Sequence, residues 1–93
     1  MNTRYYVFYD RVTGEYGNLF SAVNDADCVR KLAFSQRENP FAYDIDLCFA
    51  GTFESVTGAF QSATPPVIIC PLVDVFSAAK LSLQDAPKDR EVE

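Results

Sequence analysis

Residues 44–58, which read DIDLCFAGTFESVTG, decide the fold because they describe one strand followed by a tight turn. From residue 44 to residue 53, large apolar side chains alternate with small or polar ones, which is the period-two pattern of a β-strand. Residues 54–58 then predict a hairpin turn in which Gly58 supplies a backbone with positive φ. The two predicted faces of the strand carry Ile45, Leu47, Phe49 and Phe53 on one side and Asp46, Cys48, Ala50 and Thr52 on the other.

The residues after this turn predict its antiparallel partner. Residues 59–62 are expected to return along the first strand and complete the hairpin. Pro65 and Pro66 lack the backbone N–H that a ladder needs, so we expect the pairing to stop there. The apolar residues 67–69 then predict one further short strand.

The N-terminal segment predicts another strand. Residues 4–10, RYYVFYD, are rich in aromatic and β-branched side chains and precede a turn signal at residues 13–15. Because apolar groups would lie on both faces, a central position in the sheet is favoured over an edge. Residues 16–21 are compatible with either a loop or a short second strand.

The clearest helix signal begins at Asn24, which can cap the first turn. Asp25 and Asp27 suit the positive end of the helix dipole. The helix is expected to end near Arg37 because the residue before Pro40 disfavours helical backbone. One face of this helix consists of Val29, Leu32, Ala33 and Gln36.

The C-terminal residues predict a short second helix from Val73 to Leu83 and a charged, mobile tail over residues 85–93. The whole order of elements predicts an α+β fold. We expect a small antiparallel sheet of three to four strands packed against one main helix. The predicted organisation is a single domain over residues 1–84 followed by the tail. Because a chain of this length can bury only a modest core, we expect dimerisation through a sheet edge or an aromatic face.

Composition limits the classes of function. The chain has 93 residues, 13 acidic and 8 basic side chains, a net charge of −5 and no histidine. This balance excludes a histone-like basic protein. Without histidine, the chain lacks the commonest general base and the commonest zinc ligand. We therefore predict no enzymatic activity, no catalytic residues, no metal site and no cofactor.

Three cysteines, Cys28, Cys48 and Cys70, are too far apart for the close pair that most structural zinc sites use. Their odd number argues against a disulfide framework, so three buried free thiols are expected. Asp44 and Asp46 are expected on the solvent side of their strand. No secretory signal and no apolar run of membrane-spanning length, about 18 residues, is visible, which predicts a cytoplasmic protein without a membrane contact.

The aromatic side chains provide the candidate binding surface. Only one face of the first strand can pack on a helix, so either Tyr5 and Tyr9 or Tyr6 and Phe8 need another role. That role is a place in the core, a dimer surface, or a platform for stacking nucleic-acid bases. With basic side chains to meet phosphates, the candidate nucleic-acid-binding residues are Arg4, Tyr5, Tyr6, Phe8, Tyr9, Arg11, Arg30, Lys31 and Arg37.

A resemblance to a known family rests mainly on residues 41–58, together with the tyrosine-rich strand that ends at Asp10 and the helix around residues 27–34. This chain resembles the small nonstructural protein of gokushoviruses, which are tailless single-stranded DNA phages of the Microviridae. The resemblance covers roughly residues 4–70. Its diagnostic positions are Asp46, Leu47, Gly51, Phe53, Glu54, Thr57 and Gly58.

The resemblance implies a nonstructural phage protein made in the host bacterial cytoplasm, with a role in DNA binding during genome replication or packaging. It brings no catalytic residues. Together with the aromatic content, it predicts a dimeric, non-enzymatic helper of replication that binds single-stranded DNA with strong salt sensitivity. The alternative is a protein–protein adaptor that binds a phage or host replication or assembly protein without contacting DNA. A structural accessory of the virion is disfavoured because genome-packing peptides are usually strongly basic.

Overall fold

The structure, a computed structural model, describes residues 2–77. A 3₁₀ turn spans Ala42–Asp44, and the last described residues, 72–77, form the second helix, α2. The predicted domain end at residue 84 and the predicted tail over residues 85–93 lie outside the described residues. The other elements are β1 (Asn2–Asp10), β2 (Glu15–Tyr16), β3 (Phe20–Ala22), α1 (Asp25–Ser35), β4 (Ile45–Glu54) and β5 (Phe60–Pro71).

The five strands form one antiparallel sheet in the order β2-β1-β4-β5, and β3 also pairs with β1. The predicted α+β class is confirmed, and β1 is central as expected. The sheet is larger than the predicted three to four strands, and one main helix is not evident. The second helix predicted from Val73 begins at Leu72 as α2, and its predicted part beyond residue 77 lies outside the described residues. The two strands predicted at residues 59–62 and 67–69 are one strand, β5, because residues 63–66 bulge away from β4 without ending the pairing.

A β-bulge in the middle of β4 changes which side chains share a face. Tyr6 pairs with Phe49 and Tyr5 pairs with Gly51, so Ala50 is an extra residue in β4. Directly paired residues of antiparallel strands lie on the same face. Since Phe53 pairs with Thr3, it lies on the face of Tyr5. The prediction that Phe53 and Phe49 share a face was therefore wrong, because strict alternation ignores the bulge.

The main core lies between one face of the sheet and the two helices. We call this side of the sheet the helix face. The first strand contributes Tyr6, α1 contributes Cys28 and Leu32, and α2 contributes Leu72 and Val75. Tyr6, Leu72 and Val75 are completely buried, so the sheet and both helices depend on one apolar cluster. The full set of buried members is Tyr6, Ala22, Cys28, Leu32, Ala42, Leu47, Leu72 and Val75.

A second, smaller cluster lies on the opposite side of the sheet. Val7, Cys48 and Ala50 are buried there, and Tyr9 packs against them. All four belong to β1 or β4, and neither helix contributes to this cluster. We call this side, uncovered by any helix of residues 2–77, the open face.

The start of α1 agrees with the prediction. The Asn24 side chain accepts a hydrogen bond from the Asp27 backbone N–H at 2.8 Å, and the helix ends at Ser35, just before the predicted end. The Asp27 carboxylate accepts a bond from the Val23 backbone N–H at 3.1 Å. That bond, followed by the bond from Lys31 and the contact with Arg30, lowers the pKa of Asp27. The side chains of Asn24 and Asp27 therefore fix the first turn of α1.

The three cysteines are free thiols. Cys28 and Cys48 are buried as predicted, and burial raises the pKa of Cys28 to about 11. Cys70 is only partly buried, so the expectation of three buried thiols holds for two of them. Burial also raises the pKa of Cys48 and Cys70. Because the thiolate is the reactive form, these environments favour a packing role over reactivity.

No helix among residues 2–77 is long and apolar enough to cross a membrane.

Replacing Gly51 by alanine should strongly destabilise the fold. Gly51 has φ of +151°, and a Cβ there would overlap the carbonyl oxygen of Gln61 and lie 2.9 Å from the Cα of Ser62. We expect Gly51→Ala to lower the free energy of unfolding by about 2–4 kcal/mol in urea denaturation. Gly58→Ala is the matched control, because Gly58 has φ of +75° but no atom within 4 Å of the added methyl. Equal losses for both variants would contradict the close approach of β5.

Candidate functional site

The open face carries two pairs of aromatic rings. Tyr5 and Phe60 meet edge to face with their ring centroids 5.9 Å apart. Tyr9 and Tyr16 lie tilted to one another at 4.7 Å. Phe60 is 43% exposed and Tyr16 is 49% exposed, while Tyr5 and Tyr9 are half-buried. Each pair therefore combines a supported ring on the central strand β1 with a more accessible ring on a neighbouring strand.

Between the two pairs lies a floor of small side chains. Val7, Cys48 and Ala50 are buried there and form the small cluster of the open face. Tyr5 and Tyr9 are four residues apart on β1, so their Cα atoms are separated by about 13 Å. Large rings on both sides of a low, apolar floor form a shallow trough across the sheet. Flat apolar groups such as nucleic-acid bases fit such a surface.

The charge beside this trough comes from Arg11, which follows the end of β1. Its guanidinium donates hydrogen bonds to the Asp46 carboxylate and to the carbonyl oxygen of Tyr43. The expectation that Asp46 faces solvent was wrong, because Arg11 covers it and leaves its side chain 10% exposed. Asp44 is exposed as expected. The ion pair fixes the position of Arg11 at one end of the open face.

The four predicted stacking residues divide between the two faces. Tyr5 and Tyr9 lie on the open face. Tyr6 is completely buried on the helix face, so it is not accessible to a base, and this corrects its place among the candidate site residues. Phe8 packs on the same side against Phe20, with the ring centroids 5.0 Å apart, and borders the main core. These two candidates are therefore core residues, which answers the question of which face the helix covers.

Tyr6 also forms a polar cluster with two charged side chains. Its hydroxyl donates a hydrogen bond to Asp25 at 2.7 Å and accepts one from Arg4 at 2.9 Å. The Arg4 guanidinium lies 4.3 Å from the centre of the Phe49 ring and forms a 3.0 Å ion pair with Asp25. Burial, reinforced by the bond to Asp25, raises the pKa of Tyr6 to about 12. This cluster ties β1 to the start of α1.

The five predicted phosphate contacts do not come together. Arg4 lies on the helix face, and Arg30 and Lys31 both pair with Asp27 on α1, at 2.9 Å and 3.1 Å. Arg37 donates a hydrogen bond to the carbonyl oxygen of Phe34 and lies over its ring. Of the basic side chains in residues 2–77, Arg11 alone lies beside the open face. The structure thus provides a surface that is aromatic rather than basic.

Three rings of the open face were not predicted as site residues. Tyr16 was assigned to a loop or short strand, and Phe60 was assigned to a strand without a role. Phe53 was placed on the wrong face. Gly51 inside a strand pattern is the signal that could have indicated the bulge and hence the position of Phe53. Within residues 2–77, no group of three or more potential ligand side chains is arranged to hold a metal ion.

Comparison with models of known protein families gives a match over most of the chain. The model of a family described as Phage ORF5 protein matches residues 3–75, which include all of β1 except its first residue, the other four strands, α1 and most of the described part of α2. No curated protein and no solved structure matches the chain. The matched region contains the complete open face and the complete core.

Substitutions at Tyr6 should lower the free energy of unfolding, and the larger truncation should lower it more. Tyr6→Phe removes both hydroxyl hydrogen bonds, one of them to a charged carboxylate, and should cost about 1.5–3 kcal/mol of unfolding free energy. Tyr6→Ala also leaves a cavity and should cost about 3–5 kcal/mol. Tyr9→Phe on the open face is the control and should change stability by less than about 0.5 kcal/mol. Urea denaturation measures all three, and an unchanged Tyr6→Phe would contradict the polar cluster.

Proposed function

From the premise that this chain belongs to the phage ORF5 protein family, we propose that it is a non-enzymatic, nonstructural phage protein that binds single-stranded DNA and assists genome replication. Its place of action is the cytoplasm of the host bacterium. The resemblance of residues 41–58 to the small nonstructural protein of gokushoviruses supports a finer placement within the Microviridae. Single-stranded DNA is the genome of those phages, which makes it the natural ligand.

The observation that carries this proposal is the pair of aromatic clusters on the open face. Base stacking on an aromatic side chain contributes about 1–3 kcal/mol per base and tolerates every base. Tyr5 with Phe60 and Tyr9 with Tyr16 offer two such places on opposite sides of the floor. Antiparallel sheets with helices on one side and accessible rings on the other are a recurring platform for single strands. The open face has this arrangement.

The ion pairs within residues 2–77 limit how many basic side chains can contact phosphates near the open face. Arg4, Arg30 and Lys31 are engaged with Asp25 or Asp27 and lie away from the open face. Among residues 2–77, Arg11 is the basic side chain near the rings that could contact a phosphate. Arg11 is itself paired with Asp46. Most of the binding free energy therefore comes from stacking. The expectation of strong salt sensitivity is replaced by that of a weak salt dependence.

Removing single rings from the open face should weaken binding of a fluorescently labelled oligo-dT. Phe60→Leu and Tyr9→Leu keep an apolar side chain but remove the aromatic plane, so each should raise the dissociation constant about 5- to 100-fold in an anisotropy titration. The matched control is Phe34→Leu, because Phe34 is 70% exposed on α1 and away from this face. Equal affinity of all variants and the wild type would contradict stacking on the open face.

The salt dependence of the same titration separates stacking from phosphate binding. Each phosphate contact with a single strand contributes about −0.7 to the slope of log K against log salt concentration. One contact through Arg11 predicts a slope near −0.7, whereas the five basic residues acting together would give about −3.5. A steep slope would indicate that the ion pairs of α1 open on binding and that the basic side chains hold the DNA.

The second candidate function is that of an adaptor for a phage or host replication or assembly protein. It is favoured by the net charge of −5, which disfavours an approach to DNA, and by the pairing of Arg4, Arg30 and Lys31 with carboxylates. Aromatic rings at a partly apolar surface are also typical of protein interfaces. Flat anisotropy at low and physiological salt, combined with recovery of one phage or host replication protein from infected cells, would favour this function.

A further inference from the structure

The two aromatic pairs of the open face lie at opposite ends of the buried floor. Tyr5 of the first pair and Tyr9 of the second are four residues apart on β1, so their Cα atoms are separated by about 13 Å. β1 is paired on both sides, and the extra residue of the bulge belongs to β4 rather than to β1. The central strand therefore holds the two pairs at one spacing.

Each pair is positioned by the backbone of the sheet. Gly51 pairs with Tyr5 and so lies on the open face. A Cβ at Gly51 would lie 3.0 Å from the Cζ atom of Phe60, so the tip of this ring lies over the glycine and reaches Tyr5 from two strands away. In the second pair, Tyr16 of β2 lies directly opposite Tyr9. Each pair thus offers one defined place for a base.

The floor between the pairs offers almost no surface to a ligand. Val7 is 4% exposed, Cys48 is 1% exposed and Ala50 is 7% exposed. None of the three side chains is aromatic, so a base above them has no ring on which to stack. Stacking on this part of the open face is therefore confined to its two ends.

The spacing of the pairs is too long for neighbouring nucleotides. Successive nucleotides of one strand are about 3.4 Å apart when they are stacked as in B-form DNA, and roughly twice that when the strand is extended. One step therefore does not span the distance of about 13 Å between Tyr5 and Tyr9, whereas two extended steps do. Two bases separated by one intervening nucleotide match the two pairs.

We propose that the open face binds three successive nucleotides of single-stranded DNA, with the first and third bases on the two aromatic pairs and the middle base turned away from the sheet. This inference rests on the proposed function and adds the length of the unit that is bound. A base is required at the first and third positions, and the sugar and phosphate alone suffice at the second. Because stacking tolerates every base, the unit has a fixed length but no fixed sequence.

Competition against the labelled oligo-dT, followed by anisotropy, tests the length of the unit. We expect the dT trinucleotide to bind the wild type about 5- to 100-fold more tightly than the dT dinucleotide, because the dinucleotide reaches one pair at a time. Lengthening the trinucleotide to a hexanucleotide should raise the affinity by less than about fivefold, because both pairs are already occupied.

Trinucleotides that lack a single base separate stacking from phosphate contacts, since they keep the same number of phosphates. A missing base in the middle should change the affinity by less than about threefold, whereas a missing base at either end should weaken binding about 5- to 100-fold. These comparisons use the wild-type protein alone, so they do not depend on the folding of a variant.

A variant of the first pair tests whether the ring from β5 forms one end of the unit. Phe60→Leu keeps an apolar side chain at a position that is 43% exposed, and it should bind the dT trinucleotide about as weakly as the dinucleotide. Phe34→Leu on α1 is the matched control and should keep the full difference between the two ligands. Circular dichroism checks that both variants are folded.

The outcomes distinguish the three-nucleotide unit from the binding of single strands in general. An affinity that rises evenly with each added nucleotide would overturn the unit and leave the proposed function intact. Equal losses from a missing middle base and a missing end base would do the same, as would equal affinity of the dinucleotide and the trinucleotide. No binding of the labelled oligo-dT at any salt concentration would overturn the proposed function and the unit with it.

Discussion

One extra residue in the middle of β4 is the constraint on which the rest of the structure depends. The bulge at Ala50 shifts the register against β1, and Gly51 lets β5 approach where any side chain would collide with the Gln61 backbone. Before the bulge, the large side chains of β4 face the helices. After it they face the other way, which brings Phe53 to the open face. The same close approach brings the Phe60 ring to Tyr5.

Two of the basic side chains in residues 2–77, Arg4 and Arg11, hold parts of the fold together. Arg4 links the Tyr6 hydroxyl to Asp25 and covers the Phe49 ring, while Arg11 covers the partly buried Asp46. Such pairs help to fix the first turn of α1 and the end of β1 against the sheet, although the exposed ones contribute little to stability. A small domain with a modest core gains order from these contacts. Arg4 and Arg11 are therefore engaged in contacts within the fold itself.

The sequence predicted those parts of the fold that depend on local signals. The cap at Asn24 and the break at Pro40 located α1, and simple alternation located β1 and β4. The other features of the fold depend on how strands that are distant in sequence pair with one another. Pro65 and Pro66 usually end a strand, yet β5 continues past them because the bulge removes them from the ladder. The partners of the basic residues also depend on how β1 and α1 meet, which no local pattern reveals. The sequence therefore left open which pair of β1 rings lies away from the helices, and the structure shows that Tyr5 and Tyr9 do, while Tyr6 lies in the core. Phe60 had been given no role.

The distribution of tyrosine gives the molecule an intrinsic optical probe. The chain has no tryptophan, so its ultraviolet fluorescence comes from five tyrosines. Tyr5, Tyr9 and Tyr16 lie together on the open face, whereas Tyr6 is locked in the core by its hydroxyl bonds. Three of the five tyrosines therefore lie on the open face, while Tyr43 is exposed in the 3₁₀ turn before β4. Whatever covers that surface, whether a base, a partner protein or another part of the chain, changes the light that the protein emits.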